Sequence, residues 1–110
     1  MSNKKSVCII DDDKVYTFGV KKIIKSYLPG NEVISFENGK EALEGIKELQ
    51  NAGKELPDLI LLDIEMPEMN GWDFLSKFDE IRAKSEKTID IFVISSRVDK
   101  NTQDLYKVEW

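Results

Sequence analysis

A chain of 110 residues is long enough for one small domain with its own core and too short for two. Its 41% hydrophobic and 34% charged residues read as a soluble globular protein rather than a disordered one, and 16 basic against 21 acidic side chains, net −5 with no basic stripe, disfavour nucleic acid as a partner of this segment. There is no histidine, which removes a histidine general base and the commonest zinc ligand, and with them serine-triad and most zinc-hydrolase chemistry. The single cysteine, Cys8, has no intramolecular disulfide partner and reads as a small buried hydrophobe. No apolar run is long enough to span a membrane and the polar start MSNKKSV is unlike a signal peptide, so the cytoplasm is expected.

In chain order, Val7 to Ile10 is a short, apolar, largely β-branched first strand that stops at Asp11-Asp12-Asp13. Val20, Ile23, Ile24, Tyr27 and Leu28 then recur with a helical period, and Val15 and Phe18 extend the stripe backwards. Asp12 or Asp13 can cap this helix, Lys21, Lys22 and Lys25 suit its C-terminal end, and Pro29-Gly30 stops it. Glu32 to Phe36 is a second strand, with Asn38-Gly39 as a turn signal. A second helix places Ala42, Leu43, Ile46 and Leu49 on one face and stops at Asn51 to Gly53.

After the polar link Lys54 to Pro57, the continuous apolar run Leu59 to Leu62 fits a strand covered on both faces, and it ends in Asp63. Ligands of open α/β sheets bind beyond the carboxyl ends of the strands, so this carboxylate is placed for chemistry. Pro67 and Gly71 shape the loop that follows, and a third helix carries Phe74, Leu75, Phe78 and Ile81 inward, with Trp72 in its first turn. Met66, Met69 and Trp72 read as packing, and the charged residues from Lys77 to Lys87 as a solvated face, with Ala83 to Lys87 a charged connection. Ile89 to Ser95 is a fourth strand, beyond which Asp99 can cap a short helix over Lys100 to Lys107. Four strands alternating with four helices imply a parallel sheet with helices on both faces and right-handed crossovers.

If the first and third strands are neighbours, Asp11, Asp12 and Asp13 converge with Asp63. Clustered carboxylates raise one another's proton affinity unless a cation sits among them. A hard oxygen-seeking ion such as magnesium suits such a histidine-free cluster, and a carboxylate beside it can act as a nucleophile toward a phosphoryl group. Ser95, at the end of the fourth strand, would aim a hydroxyl at the same crevice. A calcium loop over Asp11 to Tyr16 does not fit, because Val15 and Tyr16 stand where an acid or amide and a glycine are needed.

Ile9-Ile10-Asp11-Asp12, Leu61-Leu62-Asp63, Met66-Pro67 with Gly71, and Ser95-Ser96 together resemble the receiver domain of response regulators in two-component signalling, including the single-domain chemotaxis regulator. The resemblance covers the whole chain, residues 1–110. The ordered set is specific where each element alone would be weak. It implies a flavodoxin-like, doubly wound parallel sheet in three α/β/α layers, and a signalling phosphoacceptor rather than an enzyme. It also implies that Asp63 takes a phosphoryl group from a sensor histidine kinase or phosphotransfer protein. Asp11, Asp12 and Asp63 would gather Mg2+ together with the backbone carbonyl of Glu65, and the Ser95 hydroxyl would act as the switch that responds to the added charge.

One departure stands against the resemblance. The family's lysine and its aromatic switch residue, both on a fifth strand, have no counterpart, since Tyr106 and Trp110 come too early and Lys107 falls in the expected fourth helix. The sequence thus reads as a receiver domain incomplete before its fifth strand and last helix. That would leave the fourth strand a bare edge open to a homodimer or strand exchange. Two other functions stay open: a receiver-like interaction module that works without phosphorylation, and a phosphohydrolase of the haloacid-dehalogenase type, which Asp63-Ile64-Glu65 resembles only loosely.

Overall fold

The computed structural model describes residues 5–66, 69–95 and 104–107, the backbone alone for Ser95 and for 104–107. Its elements are β1 (Ser6–Ile10), α1 (Lys14–Tyr27), β2 (Glu32–Phe36), α2 (Gly39–Asn51), β3 (Leu59–Asp63), α3 (Gly71–Lys84), β4 (Asp90–Ser95) and β5 (Asp104–Lys107). The strands form one sheet in the order β2-β1-β3-β4-β5, the first four parallel. Since β1 leads outward to β2 and the chain then returns across β1 to β3 and β4, right-handed crossovers put α1 on one face and α2 with α3 on the other.

The α2/α3 face holds the main core. Cys8, Ile10, Ile60, Leu62, Ile91 and Val93 alternate along the three inner strands and meet Ala42, Leu43 and Ile46 of α2 and Phe74, Phe78 and Ile81 of α3. Phe74 and Phe78, one turn apart, stack with ring centroids 5.3 Å apart. Cys8 is fully buried, and burial pushes its thiol up to about 12, so it packs and does not react. Asn38, expected to mark a turn, caps α2 by accepting from the Glu41 N–H at 2.9 Å, and Asn70 caps α3 in the same way through Asp73.

The α1 face departs from expectation. Val15, Phe18, Ile23, Tyr27 and Leu28 all lie on the solvent side, 52 to 82% exposed, and Thr17 is the residue α1 buries. Periodicity shows that a helix carries apolar residues on a side but not that a second layer exists to cover them, and among the described residues α1 has no helix beside it. Trp72, expected to pack, is 58% exposed, whereas Met66 belongs to the core and Met69 packs against it. The Thr17 hydroxyl is buried without a hydrogen-bond partner among the described residues. Thr17→Val is therefore expected to raise stability by about 1 kcal/mol, read as a higher urea midpoint at unchanged slope.

The charged connection after α3 is not wholly solvated. The Lys87 ammonium donates to the Leu56 carbonyl at 2.8 Å and pairs with Asp58 at 3.1 Å and Glu55 at 3.2 Å, while the Asp58 carboxylate accepts from the Ser6 N–H at 2.8 Å. Burial works against the charge on Asp58, but the Ser6 N–H and Lys87 outweigh it and hold the carboxyl below its usual range. This network ties β1, β3 and the start of β4 together at the end of the sheet opposite Asp63.

Residues 104–107 correct the expected fourth helix. They form a strand, antiparallel to β4, with Phe92 opposite Lys107 and Ser95 opposite Asp104. A parallel strand needs a crossover of about a dozen residues or more, and segment 96–103 is shorter than that, so the chain can fold back only in the antiparallel sense. The outer edge of β4, expected to be bare, is thereby paired with β5. Pro67, Ser96, Asp99, Lys100 to Gln103 and Trp110 lie outside the described residues.

Candidate phosphoacceptor site

Strand order brings the acids together. Ile10 of β1 lies opposite Leu62 of β3, so Asp11 and Asp63, the next residue on each strand, leave the sheet side by side. One carboxylate oxygen from each of Asp11, Asp12 and Asp63 lies within 4.8 Å of the others. Asp11 and Asp63 are only 6% and 5% exposed, while Asp12 faces solvent. The spacing expected of Asp11, Asp12 and Asp63 is thus present.

The three consecutive aspartates divide their work. The sequence left the cap of α1 open between Asp12 and Asp13, and Asp13 takes it, its carboxylate accepting from the Val15 and Tyr16 N–H groups at 3.0 Å each. The Asp13 N–H in turn donates to Asp11 Oδ1 at 2.8 Å, and the Asp11 N–H reaches the Phe36 carbonyl at 3.1 Å. These bonds fix the bend by which β1 turns into α1 and hold the Asp11 side chain against the sheet.

Asp63 is fixed by the loop after it. Its Oδ1 accepts from the Glu65 N–H at 3.2 Å, which brings the Glu65 backbone beside the carboxylate. The Ile64 N–H bonds the Ile94 carbonyl and the Gly71 N–H bonds the Ile64 carbonyl at 2.9 Å, closing the loop on itself. A Cβ on Gly71 would come within 2.9 Å of Ile64 Cα and 3.0 Å of the Asp63 carbonyl oxygen, so this position requires glycine by close approach. The sequence marked Gly71 as a turn former, but its contact with the backbone of Asp63 is visible only in three dimensions.

The acids perturb one another. Burial first, then the Asp11 charge, with smaller contributions from Asp12 and Glu65, push Asp63 up to about 7 against the opposing pull of the Glu65 N–H. Ser95 stands at the end of β4, one residue past Ile94, which is level with Asp63. Its side chain lies outside the described residues. On the other flank an open groove of about 480 Å³ runs from Asp11 along α1 and β2, lined by Lys14, Phe18, Lys21 and Phe36, with Lys14 paired to Glu37 at 3.2 Å. Tyr16, given no role by the sequence, sits at the first turn of α1. Its phenol is held neutral to higher pH by burial and by the charges of Asp11 and Asp63.

Comparison with known proteins identifies the family. A family model described as the response regulator receiver domain matches residues 7–109. The nitrate/nitrite response regulator NarL of Escherichia coli is 39% identical over 88 residues, which is 77% of this chain and 36% of that protein. The sensor histidine kinase CheAY of Helicobacter pylori is 37% identical over 95 residues, 86% of this chain and 11% of that protein. The chain therefore spans only a minor part of these curated relatives. Among solved structures, a two component response regulator from Cytophaga hutchinsonii superposes with a TM-score of 0.76 at 33% identity, covering 90% of this chain and 74% of that one. The receiver domain of the histidine kinase CKI1 from Arabidopsis thaliana, solved in complex with Mg2+ and BeF3-, gives 0.70 at 26% identity over 84% of this chain and 66% of that one. With four parallel strands, three helices and an aspartate cluster at the carboxyl edge of β1 and β3 among the described residues, the chain belongs to the response regulator receiver domain family of two-component signalling.

Proposed function

We propose that this domain is a phosphoacceptor, with Asp63 receiving a phosphoryl group from a sensor histidine kinase or a phosphotransfer protein. The observation that carries the reading is the meeting of the Asp11, Asp12 and Asp63 carboxylates within 4.8 Å, with the acceptor itself buried. Three carboxylates and no nitrogen or sulfur donor are the ligands of a hard divalent ion. Asp11, Asp12 and Asp63 would hold Mg2+ with the backbone carbonyl of Glu65, the group next to the N–H that already bonds Asp63. When bound, such an ion would neutralise the crowded acids and the charge on the transferred oxygens. The reading is supported by the structurally similar CKI1 receiver domain, which was solved in complex with Mg2+ and BeF3-.

In the transfer, an Asp63 carboxylate oxygen bonds to phosphorus while the phosphorus–nitrogen bond of the donor phosphohistidine breaks, its electron pair staying on the imidazole nitrogen. Asp63 must be ionised to attack, and its raised proton affinity keeps part of it protonated near neutral pH until a cation arrives. Ser95, at the end of β4, would donate its hydroxyl to a phosphoryl oxygen and carry the change outward. The exposed apolar and lysine-bearing side of α1, next to the site, gives a donor protein a surface to dock on. No helix among the described residues is long and apolar enough to cross a membrane, which suits a cytoplasmic partner of a sensor kinase.

Incubation with acetyl phosphate and Mg2+, followed by intact-mass analysis, tests the reading. An adduct of one phosphoryl group on the wild type, not formed when the metal is chelated beforehand and absent from Asp63→Ala, is the expected result. A second reading, an interaction module that works without phosphorylation, draws on the antiparallel β5, since a parallel strand carrying the family's lysine is not what 104–107 form. Complete inertness toward phosphodonors would favour it, and steady release of phosphate from varied monoesters would instead favour a haloacid-dehalogenase-type hydrolase.

A further inference from the structure

Tyr16 is the side chain beside the acids that neither the sequence nor the phosphoacceptor reading employs. It is the third residue of α1 and half-buried. Its N–H bonds Asp13 Oδ1 at 3.0 Å, and the Asp13 N–H bonds Asp11 Oδ1 at 2.8 Å, so two hydrogen bonds fix its backbone relative to the pocket. At about 3.6 residues per turn Tyr16 leaves the helix on roughly the opposite side from Lys14 and Phe18. Those two line the groove along β2 together with Ser35, Phe36 and Glu37, so Tyr16 projects on the flank away from β2, over the end of β1 and toward β3. Burial raises its phenol first, and the charges of Asp11 and Asp63 raise it further, as expected for a ring whose hydroxyl end shares the field of both acids.

We propose that the Tyr16 ring forms the β3-side wall of the phosphoacceptor pocket, and so sets how readily water and phosphodonors of different size reach Asp63. The inference rests on the reading of Asp63 as acceptor. In hydrolysis of the acyl phosphate, a water oxygen bonds to phosphorus and the bond from phosphorus to the Asp63 oxygen breaks. The electron pair returns to the carboxylate, and a water proton leaves for solvent as inorganic phosphate departs. Attack requires an approach in line with the breaking bond, and a rigid ring beside Asp63 narrows the cone from which water or a donor can enter. Tyr16 is in this sense a positioning residue, acting through access to Asp63 and not through bond making.

The test uses the whole chain with Mg2+, loaded with acetyl phosphate or with the smaller donor phosphoramidate and followed by intact mass. Tyr16→Ala is expected to shorten the adduct lifetime by about three- to tenfold. It should also speed loading by acetyl phosphate more than loading by phosphoramidate, a donor-size dependence that general loosening of the fold would not produce. Tyr16→Phe keeps the ring and should stay near wild type. If circular dichroism shows Tyr16→Ala unfolded at the assay temperature, Tyr16→Leu takes its place with the same expectations at smaller size. An adduct whose lifetime and donor preference ignore Tyr16→Ala, or change equally in Tyr16→Phe, overturns the ring-wall inference alone. Absence of any adduct on the wild type overturns the acceptor reading, and this inference with it.

Discussion

Replacing Asp63 with asparagine is expected to stabilise the metal-free protein above pH 7 while abolishing the phosphoryl adduct. The Asp63 carboxyl is pushed from 3.8 up to about 7 by burial and by Asp11, so the folded state binds a proton that the unfolded state has already released. Between about pH 4 and pH 7 the folded form therefore carries more protons than the unfolded form, and wild-type stability falls as pH rises through that window. Above it the ionised, buried Asp63 costs on the order of 2 to 4 kcal/mol, an amount Asp63→Asn recovers in part. Urea unfolding at pH 5 and pH 8 checks this: the wild type should be the more stable at pH 5, and the variant should show little of that difference. Magnesium should restore the wild type at pH 8 far more than at pH 5, because protons compete with the ion for the same oxygens, and should do little for Asp63→Asn. A wild type equally stable at both pH values without metal would contradict the crowded-carboxylate account.

Gly71→Ala is expected to damage fold and site together. Its Cβ would stand 2.9 Å from Ile64 Cα and 3.0 Å from the Asp63 carbonyl oxygen, both main-chain atoms that cannot swing aside as a side-chain tip can. Relief requires moving either the start of α3 or the end of β3, at a cost of about 2 kcal/mol, or roughly 10 °C in Tm for a domain of this size. Since β3 ends in Asp63, the same shift should weaken Mg2+ binding and slow loading by acetyl phosphate. Gly19→Ala supplies the contrast, since nothing lies within 4 Å of a Cβ there and the position is inside α1, so it should gain up to about 1 kcal/mol with the site unchanged. Equal and small effects at both glycines would show that the loop yields more easily than its contacts imply.

Much of the sheet was legible from the chain because buried strands announce themselves over four or five residues. Val7 to Ile10 and Leu59 to Leu62 lie on the inner strands, and each is followed by the acid the pattern singled out. The helices over the main core were equally clear, since Ala42, Leu43, Ile46, Phe74, Phe78 and Ile81 are buried as their spacing requires. On α1 the same logic found the helix but not its exposure: Val20 and Ile24 are half-buried while the rest of the stripe faces solvent, because amphipathicity records a preference and not the presence of a second layer. It failed at 104–107, where a capping aspartate and polar residues suggested a helix. Hydrogen bonding to the open edge of β4 outweighs weak helix propensity in so short a segment. Lys87 was hidden within a run of charges, and only its meeting with Asp58, Glu55 and the Leu56 carbonyl separates it from the solvated lysines around it.

By itself the sequence determined the order of the first four strands and three helices, the acids that end two buried strands, and the glycine in the loop after Asp63, since each is encoded over a few adjacent residues. Only the tertiary structure decided that β1 and β3 are neighbours and bring Asp11 and Asp12 to Asp63, that Asp13 caps while its two predecessors stay with the pocket, and that the last described strand runs backwards. Those outcomes depend on groups far apart in the chain, and on which unpaired edges and unneutralised charges the folded sheet leaves to be satisfied, and no local window of residues contains that information.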